Sequence, residues 1–107
     1  MSVIPVAQTF SLQELVSYQE GAIVSRQITR SAGGNVTLFA FDAAQELSEH
    51  TSPFDALVHV LEGELEVRIA GQPYQLREGM IIVMPANQPH AVRALSRVKM
   101  LLTMIRD

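Results

Sequence analysis

The sequence predicts an all-β barrel of short antiparallel strands, preceded by a short helix. Three observations carry this. Residues Glu64–Ile69 alternate cleanly between polar and apolar. Turn-forming residues recur at close spacing from Ala22 to the C-terminus, which suits a sandwich or barrel better than a βαβ fold. Two late segments, Met80–Met84 and Met100–Ile105, are apolar at nearly every position, as strands covered on both faces are.

Taken in order, residues 1–21 read as an extension carrying the helix. Ser11-Leu12-Gln13-Glu14 has the form of a capping box, in which the Ser oxygen accepts from a free N–H and the Glu reaches back. Leu12, Leu15 and Val16 then form an apolar face, and Gly21 supplies a stop. About two turns are expected, packed on the outside of a barrel domain spanning 22–107.

Within that domain Ala22–Arg30 and Val36–Phe41 flank the turn Ser31-Ala32-Gly33-Gly34-Asn35. Leu57–Leu61 runs into Glu62-Gly63-Glu64. The next strand points Glu64, Glu66 and Arg68 one way and Leu65, Val67 and Ile69 the other. Ala70–Pro73 turns the chain into Tyr74–Arg77, and Glu78-Gly79 into Met80–Met84. His90–Ala94 and Val98–Ile105 close the series after Pro85–Pro89. No linker or low-complexity tract divides the chain.

At 107 residues the chain is one domain, and 48% hydrophobic content is generous for so small a surface. A second copy is the expected cover for the two-faced strands, so a homodimer is predicted. The net charge is −3, no basic stripe exists, and the six aromatics are not interleaved with Lys or Arg, which gives nucleic acid no footing. No apolar run reaches about 18 residues, and Met1-Ser2-Val3-Ile4-Pro5 lacks the charged and apolar regions of a signal peptide. Without cysteine, disulfides, thiolate metal sites and Cys nucleophiles are excluded. A cytoplasmic location is the resulting expectation.

The run Gly79-Met-Ile-Ile-Val-Met-Pro85-Ala-Asn87-Gln-Pro-His90 resembles the second signature motif of the cupins: a Gly, five residues, a Pro, one residue, usually a Gly, two residues, then a metal-binding His. Gly79, Pro85 and His90 match. Asn87 stands at the second Gly, a mild exchange because Asn tolerates left-handed backbone, and Ala94 replaces the usual terminal Asn. The first motif, His-x-His, then Glu, then Gly, is anchored by Gly63 within Val60–Leu65. Counting back places His50 on its first His, Ser52 on its second and Ala56 on its Glu. The chain is thus similar to small single-domain cupins of the type-2 conserved-barrel group. The resemblance implies a cupin or jelly-roll β-barrel in which two of the four usual metal ligands remain.

That implication points to a ligand pocket around His50, Ser52 and His90, with His50 and His90 on facing strands as the metal ligands. A divalent ion such as Zn, Fe, Mn or Ni is the cofactor they could hold. Two protein ligands make a labile site, since catalytic zinc usually has three and facial-triad iron needs a carboxylate. Glu46, which shares strand parity with His50, is the better spare carboxylate; Asp55 and Glu49 are others. If Ala56 faces inward, so do Val58 and Val60, while Asp55, His59 and Leu61 point away; a β-bulge near Pro53 would reverse this. The methionines are expected to fill the core, with thioether ligation an alternative. Phe54 and Tyr74 either line the pocket mouth or pack.

Three functions follow. The first is a binder of a small organic ligand, with or without a divalent metal, in the barrel pocket. The second is a metal-dependent enzyme of dioxygenase, decarboxylase or isomerase type; a metal-free variant uses His90 as general acid or base. The third is a structural or regulatory dimer that needs neither histidine. No catalytic residue is assigned.

Overall fold

The computed structural model describes residues 3–107, so Met1 and Ser2 of the N-terminal stretch lie outside it. Nine strands form two antiparallel sheets among the described residues. They are β1 (Ile23–Ser31), β2 (Gly34–Phe41), β3 (Glu46–His50), β4 (Asp55–Glu62), β5 (Glu64–Ile69), β6 (Gln72–Arg77), β7 (Ile81–Met84), β8 (His90–Ala94) and β9 (Val98–Ile105). One sheet has the order β1-β2-β9-β4-β7 and the other β3-β8-β5-β6. This is the expected jelly roll.

Alternation drives the sandwich. Leu65 and Val67 of β5 and Ala56, Val58 and Val60 of β4 are buried between the sheets, while Glu64 and Arg68 face solvent. Phe41, Val98 and Met100 complete this core from β2 and β9. Each such aliphatic or aromatic side chain, fully buried, contributes about 1.5–3 kcal/mol.

One expectation needs correction. The N-terminal helix is a single 3-10 turn, Leu12–Leu15. Ser11 makes no side-chain cap and Val16 is already extended. So short a segment cannot offset the cost of nucleating an α-helix, and its apolar residues are used on the sheet instead. Val16 is buried with Leu38 and Ala40 on the outer face of the five-stranded sheet, and Leu12, Leu15 and Tyr18 pack beside them. The Tyr18 hydroxyl donates to Glu62 Oε1 (2.7 Å), and Arg97 and Lys99 each lie 5.2 Å from its ring centroid. Lys99 Nζ also donates to the Gln13 carbonyl (2.6 Å), so this N-terminal strap is fastened at both ends.

The residues of β3, Glu46–His50, lack an apolar alternation. Pairing with β8 makes them a strand.

The apolar segments β7 and β9 divide their faces as two-faced strands do. Ile82 and Met84, and Met100, Leu102 and Met104, turn to the core side. Leu101 lies under the strap, whereas Ile81, Val83 and Ile105 are 60%, 53% and 57% exposed. No helix among the described residues is long and apolar enough to cross a membrane.

Gly63 joins β4 to β5 at φ 87°, and a Cβ there would overlap the Arg97 carbonyl oxygen. Gly63→Ala is expected to destabilise the fold by about 2 kcal/mol or more, read as a lower urea midpoint at unchanged slope.

Candidate functional site

His90 opens β8, and the loop before it is pinned at three places. Asn87 adopts φ 66°, the left-handed conformation that its place in the motif requires. Its N–H donates to the Ser52 carbonyl (2.8 Å), and the Ala86 N–H donates to Asp55 Oδ1 (2.8 Å). On the far side the Ala70 N–H donates to the Pro89 carbonyl (2.8 Å). Asp55 and Ser52 therefore hold the loop that presents His90. The Ser52 hydroxyl itself accepts from the Phe54 N–H (3.1 Å), and Ser52 does not line the cavity described below.

His50 ends β3 directly opposite His90. The two strands are hydrogen-bonded neighbours in one sheet, where facing strands were expected. A bulge between Leu47 and His50 gives β3 one more residue than β8 over this stretch. Both Leu47 and His50 consequently line the same cavity. The bulge also breaks the parity that recommended Glu46. That carboxylate lies with Glu66, Arg68 and Arg93 in a groove on the outer surface, away from His50. Ala56 does face the cavity, and His59 sits on the opposite face of β4, level with Ile81 and Leu101. Phe54 packs under Arg106, 4.7 Å from ring centroid to guanidinium, and lies outside the cavity lining.

The cavity is small, about 60 Å³, and its wall is apolar: Leu47, Val92, Leu102 and three methionines. His90 is 3% exposed and His50 is open to solvent at the mouth. The rings meet edge to face, centroids 4.4 Å apart and planes at 72°, with Nε2 to Nε2 at 3.2 Å.

Their outer nitrogens fix the protonation pattern. His50 Nδ1 is 2.8 Å from the Ser48 carbonyl, and His90 Nδ1 is 3.2 Å from the Gln88 carbonyl. A carbonyl only accepts, so each neutral ring carries its proton on Nδ1 and leaves Nε2 as a lone pair. In that neutral form the two Nε2 lone pairs lie 3.2 Å apart. That arrangement repels until a proton, a donor group or a cation lies between them. Among the described residues no group of three His, Asp or Glu side chains converges to hold a metal. The donor set therefore does not fit a hard divalent ion that needs a third protein ligand, carboxylate above all.

Burial foremost, and next the charge of a protonated His50, push the His90 pKa below the ordinary imidazole value; the Gln88 carbonyl works the other way. A depressed folded pKa means that the unfolded chain takes up the proton first as the medium acidifies. This stability is complete above the ordinary pKa of 6.5 and is lost as pH falls through the folded value. The urea midpoint is expected to drop between pH 7.5 and pH 5, and His90→Gln to flatten that drop. A flat profile in the parent would contradict the buried neutral imidazole.

Comparison with known proteins agrees with this architecture. Residues 37–106 match the model of the Cupin domain. The chain is similar over 97% of its length to a conserved protein of unknown function from Streptococcus pyogenes, at 35% identity and a TM-score of 0.91, covering 91% of that protein. A cupin 2 conserved barrel domain protein from Leptotrichia buccalis is 40% identical over 91% of this chain, with a TM-score of 0.88; this chain spans 47% of it. A cupin superfamily protein from Desulfitobacterium hafniense is 26% identical with a TM-score of 0.89, over 97% of this chain and 95% of that one. None of the curated proteins compared matches. With two of the four usual ligand positions altered and the barrel intact, the chain belongs to the cupin family.

Proposed function

We propose that this cupin binds a small ligand at the mouth of its barrel, where the paired Nε2 atoms of His50 and His90 receive a positively polarised group. The 3.2 Å separation of the two Nε2 atoms, with both Nδ1 atoms at backbone carbonyls, carries the reading. An organic N–H or O–H presented to the pair from the cavity removes the repulsion and gains a hydrogen bond in an apolar setting, where it is strongest. About 60 Å³ admits only a few heavy atoms, so the inserted part of the ligand is small and the rest lies at the open His50 side.

A metal-dependent enzyme is the second reading, favoured by the same distance. Two ligand nitrogens about 2.0–2.1 Å from a tetrahedral ion stand about 3.3 Å apart. Water or substrate would then supply the ligands that Ser52 and Ala56 do not.

The fold also leaves a face for a second copy. The strap covers the outer surface over β1 and β2 and reaches Leu101 of β9, while Ile81, Val83 and Ile105 remain open beyond it. β7 is the edge strand there, and a two-fold pairing would bury the apolar face and continue the sheet.

A panel of small amines, alcohols and carboxylic acids, and separately Fe²⁺, Mn²⁺, Ni²⁺ and Zn²⁺, tests the pocket on untagged protein. A ligand at about 100 times its Kd is expected to stabilise the parent by about 2.7 kcal/mol, seen as a raised melting temperature. His50→Ala and His90→Ala are expected to lose that shift, and retention of it in both variants sinks the reading. Metal retained after desalting, confirmed by elemental analysis and lost in both variants, selects the second reading. In sedimentation the parent is expected at twice the chain mass and Ile81→Lys at the monomer mass. A parent that sediments as a monomer across micromolar concentrations removes the dimer.

A further inference from the structure

The inner face of the five-stranded sheet sets methionines beside the position at which the family motif carries a carboxylate. Strand β4 runs between β9 and β7, and the register sets Ala56 opposite Met104 on one side and Met84 on the other. Ala56 occupies the position at which the motif carries its carboxylate. That place is therefore an alanine with a methionine opposite it on each neighbouring strand. Met100 lines the same cavity from further along β9. Three of the five methionines in the chain thus share one small cavity with both imidazoles, and no side-chain oxygen lines it.

Each polar feature of this lining is an electron-pair donor without charge. The two Nε2 lone pairs are aimed by the Ser48 and Gln88 carbonyls, which hold the outer ring nitrogens as a metal-binding histidine requires. Thioether sulfur is soft and polarisable, with no proton to give. A divalent ion here would place two uncompensated charges in an apolar wall. The cost of desolvating an ion grows as the square of its charge, so a monovalent ion meets about a quarter of it. Soft thioether sulfur beside neutral imidazole favours Cu(I), whereas Mn²⁺ prefers oxygen and facial-triad Fe²⁺ needs a carboxylate that this lining lacks.

We infer that the cavity is a Cu(I) site, with His50 and His90 as nitrogen ligands and Met84 or Met104 supplying sulfur. This rests on the reading that the histidine pair receives a positively polarised guest, and it names that guest. Nothing in it requires electron transfer, because the ion enters and stays as Cu(I).

The test uses untagged full-length protein under anaerobic conditions. Cu(I) is delivered as its bathocuproine disulfonate complex, whose absorbance reports transfer to the protein. Fe²⁺, Mn²⁺, Ni²⁺ and Zn²⁺ are offered in parallel by equilibrium dialysis. One Cu(I) per chain is expected, retained far more tightly than any of the divalent ions. Loss of a mere hydrogen-bond partner to a metal ligand already costs about 10–100-fold in affinity. The pair Met84→Leu/Met104→Leu, close in volume and apolar, is therefore expected to weaken Cu(I) by about tenfold or more, and His50→Ala or His90→Ala to abolish transfer. X-ray absorption at the copper edge of the parent is expected to show sulfur beside nitrogen, a result independent of any variant. A nitrogen-only shell, or Cu(I) affinity unchanged in a folded methionine variant, overturns the inference and leaves the paired-imidazole reading standing. Tighter retention of a divalent ion overturns it as well. Failure to bind any cation, alongside an organic ligand that still depends on both histidines, removes the copper site alone. Binding of every probe unchanged in His50→Ala and His90→Ala removes both.

Discussion

The C-terminal strand β9 is hydrogen-bonded along both edges, to β2 and to β4, and the larger sheet exists only because it lies between them. Neither neighbour is close in sequence, so this strand closes the longest loops in the chain and must be in place before the barrel has a floor. Its alternation then serves two surfaces at once. Met100, Leu102 and Met104 line the cavity, while Leu101 seats the N-terminal strap on the other side. A one-residue slip of β9 would exchange those faces and undo both.

Against that floor, the smaller sheet supplies the chemistry through a pairing that is locally irregular. Without the bulge in β3, strict alternation would set Leu47 and His50 on opposite faces. With it, both turn inward, and His50 meets His90 across a cross-strand position. The loop before His90 is held by groups that look like ligands in the sequence: Asp55 accepts from Ala86, and the Ser52 backbone accepts from Asn87. In this barrel those positions give precision to one imidazole.

The strap shows how a small domain covers surplus apolar surface. Tyr18, bonded to Glu62 and flanked by Arg97 and Lys99, locks it beside Leu38 and Ala40. Desolvation, together with the Glu62 carboxylate, pushes the Tyr18 hydroxyl pKa well above its ordinary range, which keeps it a donor at every physiological pH. Asp42 sits at the same end of the strap, its carboxyl held below the ordinary range by the Gly21 N–H and then by Arg97.

Wherever local chemistry decides conformation, the sequence was legible. Period-two alternation marked β5, turn residues bounded β1, β2, β6 and β8, and β7 and β9 fall where the apolar runs placed them. The motif spacing marked His50 and His90, and the inward parity of Ala56, Val58 and Val60 followed from Ala56 alone. What the sequence could not decide depended on partners distant along the chain. Strand β3 has no pattern of its own and takes its form from β8. Its bulge sent Glu46 to the outer surface, and the capping-box signal at Ser11 gave way to the apolar demand of the sheet beneath it. Nor could spacing alone show that both outer ring nitrogens face carbonyls, or that Met84 and Met104 flank Ala56. The sequence by itself determined the family, the sheet-forming segments and the two histidines. Register, a long-range property of paired backbones, decided which side chains share the cavity and left two ring nitrogens 3.2 Å apart at its mouth.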